Sequence, residues 1–121
     1  MSTPAHPLQA RYFAQRSSGD ITAATETLKT VLKGDPRADW AYNELIELLY
    51  ASGRHADALT LARTALRVNP LNAQGHNLFG TILSQLNDLP AGEWHFRRAL
   101  QLGGEQAPFL ANLALNLMQQ G

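Results

Sequence analysis

The stretch DWAYNELIELLYASGRHADALTLARTALRVNPLN, Asp39 to Asn72, decides the fold. Leu45, Leu48 and Leu49 form one apolar stripe, and Ala58, Leu61, Ala62, Ala65, Leu66 and Val68 form another. Both follow the spacing of an amphipathic helix, and neither alternates as a strand does. Ser52-Gly53 interrupts the pattern between the stripes, and Asn69-Pro70 closes the second. The stretch therefore reads as two short helices joined by a tight turn, which forces them to pack side by side and antiparallel.

Outward from this stretch the same landmarks recur every 34 residues. Gly19, Gly53 and Gly121 fall on one lattice, and the missing point is Asn87, the residue type that best replaces Gly where φ is positive. Pro36 and Pro70 form a second row, continued by the breaker Gly104. Small residues form two more rows, Ala24, Ala58, Gly92 and Val31, Ala65, Ala99, as close helix approach requires. Large apolar rows are Leu45, Phe79, Leu113 and Leu49, Leu83, Leu117, the latter starting at Gln15. Helices are predicted near 7–17, 20–33, 37–52, 55–68, 71–86, 89–102 and 106–120. Pro90 falls in a first turn behind the N-cap Asp88, where proline is tolerated. One hairpin cannot bury its apolar face alone, whereas stacked hairpins can. The expectation is an all-α domain over 1–121, with units 5–38, 39–72 and 73–106 and a half unit 107–121.

Composition narrows the function. Ten basic residues balance ten acidic ones, which speaks against a dedicated nucleic-acid or anionic-membrane surface. The chain has no cysteine, so disulfides and thiolate metal sites are excluded. Met1 to Pro7 lacks the pattern of a signal peptide, and no run approaches the roughly 20 apolar residues that span a bilayer. The expected location is the cytoplasm.

The period and its rows resemble the tetratricopeptide repeat. The middle unit carries the likeness best, through Tyr42, Leu45, Gly53, Ala58, Ala65 and Pro70. The next unit supplies Phe79, Gly80, Leu83, Phe96 and Ala99, but departs at His76, where an aromatic is usual, and at Gly104. In the first unit Leu8, Gly19, Ala24, Leu28 and Pro36 fit, while Arg11 and Gln15 do not. The resemblance implies a right-handed superhelix of antiparallel hairpins, whose first helices line a concave groove that binds a protein or peptide.

That implied groove is lined by His6, Gln9, Phe13 and Arg16 from the first unit, and by Trp40, Asn43, Glu47 and Tyr50 from the second. The third contributes Gln74, Asn77, Thr81 and Ser84, and the fourth Ala111, Leu115 and Met118. Trp40 either anchors a ligand or staples the start of its helix, and Tyr50 reads as leaning into the next unit. Asn43 and Asn77 are equivalent, with Asn112 one residue past the next equivalent place. They form either a ladder for an extended peptide backbone or ordinary asparagines on a solvated face. A second family mode, capture of a terminal carboxylate, needs cations in the groove. The matching places hold Gln9, Phe13, Glu44, Gln74 and Leu78, so that mode is not expected.

No other chemistry emerges. His6, His55, His76 and His95 lack metal-ligand spacing, so no metal or cofactor is expected. Glu44 and Glu47 lie one turn apart, but a paired-carboxylate site needs groups opposed across a cleft. The serines follow no nucleophile motif, and Gly103-Gly104 leads into Glu105, which repels phosphate. Lys29, Arg63, Arg97 and their neighbours Lys33, Arg67 and Arg98 form a ridge explained by cations at helix C-terminal ends. Nucleic acid and membrane are not expected partners, and this stretch is not expected to be an enzyme. Because Ala107 to Gly121 supplies one helix of a pair, the chain reads either as the N-terminal piece of a longer protein, the favoured expectation, or as a stack whose odd last helix is a cap. Its unpartnered stripe offers a homodimer contact. The texture loosely resembles repeat arms that precede bacterial sulfotransferase, glycosyltransferase or 2-oxoglutarate-dependent hydroxylase domains, which makes an accessory enzyme arm the alternative function.

Overall fold

The computed structural model describes residues 6–121, and the expected opening of the first unit at Ala5 lies outside them. Seven helices and no strand are found among the described residues. They are α1 (Gln9–Ser17), α2 (Ile21–Gly34), α3 (Asp39–Ala51), α4 (His55–Val68), α5 (Ala73–Gln85), α6 (Leu89–Gly103) and α7 (Ala107–Gln120). The first helices of the hairpins start about two residues later than expected, because Leu8, Ala38 and Asn72 serve as N-caps. Asn72 does so with its side chain, which accepts from the Gly75 N–H. Asp20 and Asp88 cap α2 and α6 in the same way.

The turn lattice has a backbone cause. Gly19, Gly53 and Gly121 adopt φ of 82°, 80° and 93°, and Asn87 adopts 68°. After each of the first three turns within the stack the chain hydrogen-bonds back to the helix it leaves, as in Gly53 N–H to the Tyr50 carbonyl.

Two clusters make a continuous core. Tyr12, Leu28, Val31, Ala41 and Leu45 fill the first, and Tyr42, Ile46, Ala58, Ala62 and Ile82 the second. Leu32, Leu49 and Leu61 touch both. Tyr12 is fully buried, so the first unit is anchored by a residue the repeat rows did not mark. Burial of such a side chain contributes about 2–3 kcal/mol. Arg11, on the row of Leu45, Phe79 and Leu113, is exposed, because no earlier hairpin covers that side of α1 among the described residues.

The small rows act where helices meet. A Cβ on Gly80 would lie 2.8 Å from the Phe96 ring and 3.0 Å from the Gly92 carbonyl oxygen. These two glycines therefore bring α5 and α6 into closer contact than side chains would permit. Consecutive helices pack throughout, α3 also packs on α5, and α5 on α7. The second helices α2, α4 and α6 make no such contact with one another. The first helices thus line the inner side of the curve and the second helices its outer side.

Candidate functional site: the concave face

The inner face is built from α1, α3, α5 and α7. Its N-terminal end is an aromatic ledge. The Phe13 and Trp40 rings have centroids 6.4 Å apart, and Tyr12 and His6 each lie 6.0 Å from Trp40. Phe13 is 42% exposed, whereas Trp40 is half-buried and packs on the first core cluster. Trp40 therefore braces the start of α3 and stays partly exposed beside Phe13.

Beside the ledge sits a charged network. Arg16 donates to Glu44, and its other terminal nitrogen lies 3.6 Å from Glu47. The Tyr12 hydroxyl donates to the same Glu44 oxygen over 3.0 Å, and Gln74 donates to Glu47 over 3.3 Å. This corrects one sequence reading. Glu44 and Glu47 do act together, because a 100° step per residue puts positions three apart on neighbouring lines of one helix face. Arg16, expected along the groove, is spent on these carboxylates. Burial, then the neighbouring Glu44 charge, raises the Glu47 pKa. Burial and the Glu44 carboxylate raise the Tyr12 phenol far above its ordinary value, so it stays a donor.

The asparagines are not on a solvated face, which corrects that reading too. Asn43 and Asn72 exchange two amide hydrogen bonds of 3.1 and 2.8 Å, joining α3 to the cap of α5. Asn77 is only 5% exposed, and its amide oxygen accepts from Asn112 on α7 over 3.0 Å. Its amide nitrogen donates to no other group among the described residues. Asn77 also accepts, through its backbone carbonyl, from Thr81. Farther along, Tyr50, Thr81, Ser84, Asn112 and Leu115 line a recess of about 150 Å³. Tyr50 stacks on His55, with centroids 4.8 Å apart, and faces the recess as well. Ala111 and Met118 of the expected lining are exposed and make no part of that recess.

One residue of this face was missed. Asn116 is 1% exposed; its amide nitrogen donates to Ser84 Oγ (2.9 Å) and to the Leu89 carbonyl (3.0 Å), and its oxygen accepts from Gln120 (2.7 Å). It ties α7 to α5 and α6. The signal lay in the row Ala14, Leu48, Ile82, Asn116, which is apolar until its last member.

A second pairing on the hairpin of α5 and α6 also departs from expectation. His76 Nε2 lies 2.8 Å from the Pro70 carbonyl, which can only accept, so that nitrogen carries the proton. His76 Nδ1 then accepts from His95 Nδ1–H at 3.0 Å. Ring centroids 5.2 Å apart around nitrogens 3.0 Å apart place the rings edge to edge. The two lone-pair directions oppose each other across a single proton and do not converge on a common point. No group of three or more metal-ligating side chains occurs among the described residues. The departure at His76 is chemical only: Tyr42, its equivalent, donates to the Pro36 carbonyl over 2.9 Å in the same way.

Two members of the outer basic ridge are locally paired: Lys29 lies 3.5 Å from Glu26, and Arg97 donates to Glu93 over 2.8 Å. On α7, Leu110, Leu117 and Met118 are exposed. No helix among the described residues is long and apolar enough to cross a membrane.

Similar folds are known. The first TPR domain of Spaghetti (RPAP3), solved bound to the HSP90 peptide SRMEEVD, superposes with a TM-score of 0.83 at 14% identity, covering 93% of this chain and 90% of that one. The Sgt2 TPR domain from Aspergillus fumigatus gives 0.84 at 16% identity, over 93% and 76% of the two chains. MamA gives 0.78 at 22% identity, over 91% and 64%. At these identities the likeness is one of fold, a right-handed superhelix of helical hairpins. No curated protein matches the sequence significantly. The family model described as tetratricopeptide repeat matches residues 15–82. With more than half its length matched and seven helices in the expected order, the chain belongs to the tetratricopeptide repeat family.

Proposed function

We propose that this domain is a non-catalytic scaffold that binds a protein segment or peptide along its concave face. The observation that carries the reading is Asn77. It is a nearly buried amide at the middle of the face, held by Asn112, with a donor left over for a backbone carbonyl. Around it lie the groove residues expected from the repeat. Phe13 and Trp40 stand at one end, Arg16, Glu47 and Gln74 beside them, Asn43 near the centre, and Tyr50, Thr81, Ser84 and Asn112 around the recess. A groove that combines aromatic rings with unspent polar groups suits an extended chain, whose amides need partners wherever they leave water. Likeness to a domain solved with a bound peptide adds support for the fold's capacity, without naming the partner here.

The test is selection of binders from a displayed library of random peptides. Binders should lose most of their affinity on Trp40→Ala and Asn77→Ala variants whose circular dichroism is unchanged. Retained binding on both folded variants would remove the groove from the function.

A further inference from the structure

We propose that the segment received by this groove carries a lysine or arginine side chain, seated between the Glu44–Glu47 pair and the Phe13–Trp40 ledge. The inference rests on the groove reading above and specifies its ligand.

Three observations converge. The first is charge. Glu44 and Glu47 share one cation, Arg16, so the network carries one uncompensated negative charge in a partly desolvated cleft. The Glu44, Glu47 and Arg16 side chains are 16%, 32% and 40% exposed, so an incoming group can reach the second carboxylate. Of the two, Glu47 is the poorly served one. Its Arg16 contact is 3.6 Å and its Gln74 contact 3.3 Å, whereas Glu44 accepts from both Arg16 and Tyr12. Burial, and then the Glu44 charge that Arg16 does not offset, raises the Glu47 pKa.

The second observation is aromatic. Phe13 lies one turn before Arg16 on α1, and Trp40 lies one and two turns before Glu44 and Glu47 on α3. The ledge and the carboxylates therefore share one face of two adjacent helices. The negative faces of aromatic rings attract cations and leave an anion without benefit. The third is Asn77, whose free amide can hold the backbone of a segment while its side chain reaches the carboxylates. An acidic segment fits poorly. Among the described residues the cation at this place is Arg16, which is already held by two carboxylates that repel the newcomer.

The experiment uses Trp40 as reporter. Trp94, exposed on α6 away from the groove, is first replaced by Phe so that Trp40 alone emits. N-acetylated, C-amidated peptides of alternating Lys and Ala, Glu and Ala, or Ser and Ala are then titrated at low and high salt. The Lys peptide should shift Trp40 emission saturably and more weakly at high salt. Replacing both carboxylates, Glu44→Gln with Glu47→Gln, should weaken it about tenfold, the equivalent of about 1.4 kcal/mol. The proposal is overturned if the Lys peptide gives no saturable response, if the Glu peptide binds as tightly, or if the double variant binds the Lys peptide unchanged. The groove reading falls separately, when library-selected binders ignore Trp40→Ala and Asn77→Ala. Should such binders depend on the groove yet prove acidic or neutral, the groove stands and the charge preference does not.

Discussion

The hairpins α3–α4 and α5–α6 occupy equivalent places in the repeat, yet they close their helices by opposite means. Where the second puts Ile46 against Ala58, the third puts Gly80 against Gly92. The second fills its seam with the fully buried Ile46 of α3, whereas the third clears α5 with Gly80 so that the buried Phe96 ring of α6 fills the seam beside the Gly92 backbone. Tyr42 locks the second hairpin to its preceding turn through a hydroxyl, whereas the third uses His76 and adds His95 behind it. The second turns at Gly53, the third at Asn87. One repeat geometry is thus compatible with different local chemistry, provided that each position keeps its volume, its donor or its φ.

The largest test of that contrast is core deletion against core insertion, read by urea unfolding. Ile46→Ala should cost about 3 kcal/mol, since it opens a cavity in a seam that cannot collapse. Gly80→Ala should cost less, about 1–2 kcal/mol, because crowding against Phe96 is partly offset by the better helix propensity of alanine. A stabilising Gly80→Ala would mean that the glycines do not set the spacing of α5 and α6.

Acid should distinguish the two hairpins next. Burial, followed by the proximity of His76, pushes the His95 pKa down to about 4, and burial also lowers that of His76. Arg98 lowers the pKa of His76 further, and the other groups that face the pair are the rings of Phe79 and Trp94. A folded-state pKa below the ordinary histidine value of about 6.5 means that the unfolded chain binds more protons. The stabilisation is complete above about pH 6.5 and is lost as pH falls from there to about 4. It amounts to on the order of 2 kcal/mol. Unfolding measured between these limits should show a pH slope that His95→Gln flattens. An unchanged slope in that variant would place the acid sensitivity elsewhere.

The smallest effect belongs to the turns. Asn87→Gly should stabilise by about 0.5 kcal/mol, since glycine reaches φ of 68° without strain. Thermal unfolding that moves downward instead would assign Asn87 a side-chain role the turn does not display.

Most of the fold was legible because its determinants are local. A glycine or asparagine at the turn, a small residue at the crossing and an apolar stripe each follow from one helix at a time, and a 34-residue period repeats them. Even Asn87, a substitution in the glycine row, declared its backbone angle. The site was legible only as a list of positions. Periodicity placed Arg16, Glu47, Asn77 and Asn112 on the inner face, but it could not say which side chains meet across helices. Those meetings depend on crossing angle and axial offset, set by the summed packing of every seam. Hence Asn43 found Asn72 where a ladder partner was expected, Glu44 joined Glu47 on Arg16, and Asn116 became a buried tie. Tyr12 escaped notice for the same reason, since it stands on the row of Ile46 and Gly80, where no residue type is constant.

The unshared outer helices have a mechanical consequence. Among the described residues α2, α4 and α6 make no backbone contact with one another, so successive hairpins are joined through the inner seam and through the packing of α2 on α3, α4 on α5 and α6 on α7. Such an object bends like a hinged strip, stiff along the seam and compliant along the far edge. Spreading α4 from α6 breaks no direct bond between them, whereas separating α5 from α7 must break the Asn77–Asn112 and Ser84–Asn116 bonds. Curvature can therefore adjust to an object lying in the hollow while the seam keeps its length.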